Sequence, residues 1–409
     1  MSSLQMHAIT AVRRTLRALV PLLPARRTCT QGSKPIGPHA PPRILLLHPG
    51  HLGDLVISTS ILQPLEEHFP GAEIGFVAAS WARTALEGVA GIRRVHTLDH
   101  WRLNRGLPGL AGRWVRYWKT RAAAVREIRA QQYDIALCLL DVNPDLLDVA
   151  WSANIPVRVG WSSSYFTPLA THLAVTRDGA LEHQAVRQAH ILDALGVARQ
   201  DPATLRSRVV EDSSESLLEV CAALQLQSLA QVRYTVIHMG AGAPMKQMPI
   251  AFWRYIAAAL SQSHVLLFTG RGEAEQQAIR EVIEGLPNCF DACNRLSWRG
   301  FVSAIRSAET LYGVDSMAGH VAAAVGTPVI AAYQGAGGVA RWRPLQPNAT
   351  VFTRHLPCAP CLVPAGCAGM PCKDIRPEWL LSASPAVTSG DSDNGLAVHA
   401  PGLELTPAL

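Results

Sequence analysis

The stretch Thr310-Leu-Tyr-Gly-Val-Asp315-Ser316-Met317-Ala318-Gly319-His320-Val-Ala-Ala-Ala-Val-Gly326-Thr-Pro328 decides how this chain is read. Its first five residues suit a buried strand. A helix of small residues follows and stops at Gly326, and Pro328 opens another apolar run to Tyr333. Strand, turn, helix and strand in that order make the unit of a parallel α/β sheet. Asp315 closes the strand at the carboxyl edge, where open α/β sheets bind ligands. Ser316 to Gly319 open the helix, and a helix N-terminus with exposed amides suits phosphate. The small residues let a large ligand come close, and His320, one turn in, is placed to donate a hydrogen bond to a diphosphate. A plain capped helix packed on the sheet would explain the alanines and Gly319 equally well, but not His320.

The same grammar recurs about 260 residues earlier, where Pro49-Gly50-His51-Leu52-Gly53-Asp54 follows the apolar run Arg43 to Leu47. Gly50 and Gly53 allow a tight bend and close approach of a ligand. The spacing is not that of the dinucleotide fingerprint, so NAD is not implied. Asp54 falls at a helix start, either as a cap that favours the positive helix end or as a carboxylate aimed at a ligand. Between the two turns, His238 to Lys246 is another strand and glycine turn that ends in a lysine suited to a phosphate. Thr269-Gly270-Arg271-Gly272-Glu273 is a further one, its carboxylate suited to ribose hydroxyls; a solvated lysine and a helix-terminal glutamate are the plain alternatives.

Alternating strands and helices elsewhere complete the picture. Strands are expected over residues 44–47, 73–78, 95–98, 134–140, 157–159, 172–175, 234–238, 264–269, 310–314 and 328–333. Helices are expected over residues 55–69, 110–131, 182–195, 213–224, 249–260, 273–284, 301–308 and 316–325. The expectation is an α/β chain of two Rossmann-like domains with parallel sheets facing across a cleft. Its parts are a basic leader over residues 1–42, an N-terminal domain over 43–210, a C-terminal domain over 211–381 and a Ser/Gly/Ala/Pro-rich, unstructured tail over 382–409.

Composition agrees with a folded body. Hydrophobic residues make up 48% of 409 and charged residues 17%, enough for two cores. The net charge of +6 belongs to the first 43 residues, whose seven basic side chains and lack of acids leave the remainder near −1. The body is therefore not a nucleic-acid binder by composition. The leader, with Arg13, Arg14 and Arg17 between apolar residues, reads as an unstructured extension, a transit-type segment or an amphipathic helix for an anionic membrane surface. No apolar run reaches the roughly 18 residues of a membrane span. Cysteine usage fits a reducing cytosol.

Together these motifs make the chain resemble glycosyltransferase family 9, the ADP-heptose:lipopolysaccharide heptosyltransferases. The opening strand with P-G-x-x-G-D, the run Asp315 to Pro328 and Ala340-Arg341-Trp342 carry the resemblance, which covers about residues 43–381. One position departs from it: Met317 stands where the family has glycine, and Gly319 follows two places later. The resemblance implies a GT-B fold, with the acceptor on the N-terminal half and a nucleotide-sugar donor on the C-terminal half. It implies inverting transfer of heptose to a lipid-linked acceptor at the inner face of the cytoplasmic membrane, without a metal cofactor. Asp54 would be the general base. Lys246, Ser316 and His320 would stabilise the departing diphosphate, Glu273 would hold the ribose, and Asp315 would shape the donor site. Acceptor choice would lie in loops 101–112 and 143–151.

One motif stands outside that scheme. Cys358-Ala-Pro-Cys361, with Cys367 and Cys372, has metal-ligand spacing suited to a structural zinc or an iron–sulfur centre. Free thiols or a disulfide are the alternatives, and similar cysteines near the end of many family members support the resemblance without implying a metal.

Overall fold

A computed structural model describes residues 41–104, 109–140, 146–164, 166–175, 182–198, 200–229, 232–335, 338–359, 366–383 and 396–399. The leader (but for residues 41 and 42), Cys361 and parts of both acceptor loops lie outside these residues. The chain divides into two compact units, Met1–Gly179 with Ala185–Leu205, and Ala180–Gln184 with Arg206–Leu409.

In the first unit six strands are hydrogen-bonded in parallel: β1 Arg43–Leu47, β2 Glu73–Ala78, β3 Ile92–Thr97, β4 Ile135–Cys138, β5 Val157–Trp161 and β6 His172–Ala174. Their order is β3-β2-β1-β4-β5-β6. Strands buried on both faces read as continuous apolar runs, and Ile44 to Leu47 is such a run, at most 1% exposed. On one face Leu45, Leu47, Ala136 and Cys138 pack with Tyr117, Ala124 and Ile128 of the helix Leu110–Gln131. The helix expected over residues 55–69 is interrupted. Leu52–Ser58 and Leu62–His68 are helical, and Thr59–Ile61 between them is a tighter 3-10 turn. Pro64 explains the break, because it has no N–H for the carbonyl of Ser60 and its ring crowds that carbonyl.

The second unit repeats the plan with β7 Tyr234–His238, β8 Val265–Thr269, β9 Cys289–Asp291, β10 Thr310–Val314, β11 Val329–Tyr333, β12 Ala349–Arg354 and β13 Leu396–His399. The order is β13-β12-β11-β10-β7-β8-β9. All pairings are parallel except β12 with β13, which places one strand inside the segment expected to be unstructured. Trp253, Phe268, Ile279, Val282, Tyr312 and Ile330 lie in one core under the helices Ile250–Leu260 and Glu273–Ile283. The helix expected over residues 301–308 runs from Trp298 to Arg306. Ser297 starts it by accepting the Gly300 N–H at 3.0 Å, a side-chain cap that the apolar periodicity alone does not reveal.

Each sheet reverses direction of winding at one place, between β1 and β4 and between β7 and β10. These switch points open crevices at the carboxyl ends of the strands. The turns singled out in the sequence after β1, β7 and β10 all lie there. Among the described residues no helix is long and apolar enough to cross a membrane.

Candidate active site

In the second unit, Asp315 leaves β10 buried, and Ser316 takes an extended conformation (φ −147°, ψ 172°) that starts the helix Met317–Val325. An N-terminal serine ordinarily turns its hydroxyl back onto the first helical amides. Ser316 does not: no side-chain cap forms, and its Oγ is buried without a hydrogen-bond partner. An unused hydroxyl and the amide end of a nine-residue helix therefore coincide. Lys246 joins them from the loop after β7, where the 3-10 turn Pro244–Lys246 carries it, and its Nζ lies 2.6 Å from Asp315 Oδ2. Asp315 thus holds the lysine at the switch point. Met317 is the first residue of the helix and half-buried, and His320 is buried one turn in.

Gly319 has a packing reason. A Cβ there would meet the Pro344 ring at 3.2 Å and the Tyr333 hydroxyl at 3.7 Å. The small residue lets the helix lie close to its own unit.

Beside this switch point is a cavity of about 200 Å³, lined by Met239, Gly240, Gln247, Met248, Thr269 and Glu275 among others. Pockets that enclose a drug-sized ligand run to roughly 300–1,000 Å³, so this one suits part of a larger ligand. Glu273 is exposed at the head of its helix and does not line it. Glu275 does, accepting the Arg271 N–H at 2.9 Å, and burial raises its pKa above the usual carboxylate range. A Cβ at Gly240 would fall 2.4 Å from Glu275 Oε1, so the glycine makes room for the carboxyl. Buried His238, the last residue of β7, contacts Thr269 of the cavity lining. Its Nδ1 is 3.0 Å from Thr269 Oγ1, and burial lowers its pKa to about 4, so the ring is neutral near pH 7. The sequence signal for Glu275 is its place two residues beyond Glu273 in the same helix; only packing distinguishes the two.

In the first unit, the turn after β1 is built around His48. Buried His48 accepts the Gly50 N–H on Nδ1 at 3.1 Å, and a Cβ at Gly50 would lie 2.3 Å from its ring. Gly53 is the second residue of the helix Leu52–Ser58 and Asp54 the third. Asp54 Oδ2 accepts the His51 N–H at 3.1 Å, so the carboxylate caps its own helix. Half-exposed Trp81 sits against His51, ring centroids 5.4 Å apart.

Cys358 and Cys367 are exposed and Cys372 is buried, all as free thiols. Among the described residues no three His, Cys, Asp or Glu side chains could hold a metal ion, and Cys361 lies outside them. Ala340-Arg341-Trp342 forms a short helix in which Arg341 donates to Gln184 Oε1 at 2.8 Å.

Known proteins share this plan. The family described as "Glycosyltransferase family 9 (heptosyltransferase)" matches residues 121–368, more than half of the chain. The chain is 23% identical over 305 residues to lipopolysaccharide heptosyltransferase 2 of Salmonella typhimurium, covering 71% of this chain and 82% of the relative. It is 25% identical over 311 residues to lipopolysaccharide heptosyltransferase 3 of Escherichia coli, covering 73% and 84%. In three dimensions it is similar to the E. coli ADP-heptose LPS heptosyltransferase II, with a TM-score of 0.65 at 20% identity over 83% of this chain and 97% of the other. The two Rossmann-like units are those of a GT-B fold.

Proposed function

The chain belongs to glycosyltransferase family 9, and from that premise we propose that it moves heptose from ADP-heptose to a lipid-linked acceptor of the lipopolysaccharide inner core, with inversion and without a metal. The observation that carries this reading is the start of the Met317–Val325 helix: an uncapped amide end, a buried and unpartnered Ser316 hydroxyl, and Lys246 tethered to Asp315 beside it. That is a site for an anion on the unit assigned to the donor. Relatives named as heptosyltransferases, one of them an ADP-heptose enzyme, support the substrate class.

In the proposed reaction an acceptor hydroxyl oxygen attacks the anomeric carbon of the heptose. Asp54 takes the hydroxyl proton, the new glycosidic bond forms, and the bond from the anomeric carbon to the diphosphate oxygen breaks, leaving ADP. Negative charge grows on the departing diphosphate. Lys246, the Ser316 hydroxyl, His320 and the helix amides are assigned to stabilise it, as fixed donors do without reorganising. Asp315 keeps the lysine in place. The ribose is assigned to Glu275 rather than Glu273, because Glu275 lines the cavity beside the anion site.

A second reading keeps the family and changes the donor or the acceptor, and Met317 favours it by placing a thioether side chain where the family has glycine. The deciding experiment mixes the protein with ADP-heptose and a heptose-deficient inner-core acceptor. ADP release with a matching mass gain on the acceptor supports the first reading. Transfer from a different nucleotide sugar, or from ADP-heptose to a different acceptor, establishes the second, and binding of ADP-heptose with no ADP release to any acceptor supplied defeats both.

A further inference from the structure

The helix Leu110–Gln131 is the longest in the first unit and shows two unlike sides. Tyr117, Ala124 and Ile128 face the core. On another side Trp114, Val115, Trp118, Lys119, Arg126 and Arg129 are exposed, and their spacing by three, four and seven residues lines them along the helix. The exposure is large for apolar side chains, 69% for Val115 and 55% for Trp118. Scattered exposed apolar residues mean little, but a contiguous set does.

These tryptophans are held in place. Trp101 stacks on Trp114 with centroids 4.7 Å apart, and Trp114 on Trp118 at 6.5 Å. Arg102 lies 6.0 Å from the Trp101 ring centre and Arg121 5.5 Å from that of Trp118. The charge along the strip has one sign. The helix's single acid, Glu127, lies off the strip and is 3.2 Å from His96. A fixed aromatic and aliphatic ridge flanked by arginine and lysine is the composition that lies in the headgroup region of an anionic bilayer. There the indoles enter the interface and the basic heads meet the lipid phosphates.

We propose that this face of the Leu110–Gln131 helix is a docking surface for an anionic lipid bilayer. The inference rests on the strip alone. It holds whatever nucleotide sugar the second unit takes, and vesicles without acceptor test it separately from transfer.

The full chain is sedimented with phosphatidylcholine vesicles with and without phosphatidylglycerol. Binding is expected only with the anionic lipid and weakens as salt rises, since exposed charges are screened. Trp114→Ser with Trp118→Ser should lower the partition coefficient about tenfold or more, and Lys119→Glu about fivefold or more, at roughly a few-fold per basic side chain. Arg233→Glu, on an exposed site of the second unit, should change it less than twofold. Brominated lipid should quench wild-type tryptophan fluorescence and spare that of the double variant. Lys119→Glu touches no core contact, so it reports even if the double serine variant folds poorly. Unchanged partitioning in Lys119→Glu, or binding that persists without quenching, overturns the proposal and moves membrane contact elsewhere, the leader included. So does self-association in lipid-free buffer that the same substitutions abolish, because the face would then belong to a second copy.

Discussion

The Lys246 ammonium lies 2.6 Å from the buried Asp315 carboxylate, the two arriving on different loops from neighbouring strands β7 and β10. Asp315 is 7% exposed at its side chain and Lys246 28%. Removing the lysine strands a carboxylate in a low-dielectric site, whereas removing the acid frees a lysine that still reaches water. Lys246→Met should therefore cost about 1–2 kcal/mol of stability, discounted for the lysine's partial exposure. It should also lower kcat about a hundredfold or more if the lysine stabilises the leaving group. Asp315→Asn should keep the charge and lose its aim. A double-mutant cycle on kcat in which the two effects simply add would show that Asp315 does not position the lysine.

Glu275 and Glu273 separate by a similar logic. Glu275→Ala should weaken ADP binding about tenfold or more, the loss of hydrogen bonds to a charged group, and Glu273→Ala should change it less than twofold. Gly240→Ala should mimic the first, because the added methyl collides with the Glu275 carboxyl. The raised pKa of Glu275 gives a second readout with a definite sign. A carboxyl that holds its proton more tightly when folded favours the fold below its ordinary value near 4.5 and loses that contribution as pH rises through its folded value. Glu275→Gln should therefore raise the Tm at pH 7 and leave it unchanged near pH 4. Equal affinities of the Glu273 and Glu275 variants for ADP would remove the ribose assignment from Glu275.

Buried histidines act in the opposite direction. Burial lowers His238 and His183 from the ordinary 6.5 to about 4. The unfolded chain takes up protons at a pH where the fold refuses them. The stabilisation from neutral imidazoles is complete above about 6.5 and is lost as pH falls toward 4, on the order of 3 kcal/mol for His238. Thermal melts should show a steep fall in Tm between pH 6.5 and 4.5. His238→Gln should flatten that slope, and an unaltered slope would place the acid sensitivity elsewhere.

Much of this was legible in the residues, and where it failed the reasons are local. Runs such as Ile44 to Leu47 and Thr310 to Val314 declared buried parallel strands, because a strand covered on both faces has no polar side to confuse the pattern. The turns after them, Pro49 to Asp54 and Asp315 to Met317, then marked the switch points. Strand β9, of three half-buried residues, carries too little apolar signal to stand out. Pro64 was visible as a helix breaker, yet the apolar period across it suggested one continuous helix. At the site, Asp315 and Ser316 drew notice by their place at the end of β10, and Lys246 by the loop after β7 that carries it. The choice between Glu273 and Glu275 needed three-dimensional packing, since two steps along a helix turn a carboxyl from solvent to cavity. No spacing rule announces that the Ser316 hydroxyl leaves its own helix uncapped.

Asp54 carries two roles that can be pulled apart. Its Oδ2 accepts the His51 N–H, so part of its worth is structural. Replacing such a cap with alanine costs about 1 kcal/mol, and a loss of activity in Asp54→Ala would mix lost structure with lost chemistry. Asp54→Asn keeps an oxygen for the His51 amide and cannot take a proton near neutral pH. It should melt within about 0.5 kcal/mol of wild type, as a substitution that retains the cap, while kcat falls about a hundred- to ten-thousandfold, the usual contribution of a general base. KM for the donor should be unchanged, because Asp54 belongs to the first unit and the residues proposed to hold the donor to the second. An Asn variant that turns over at the wild-type rate would leave Asp54 as a helix cap only, and the base would have to be sought on another side chain.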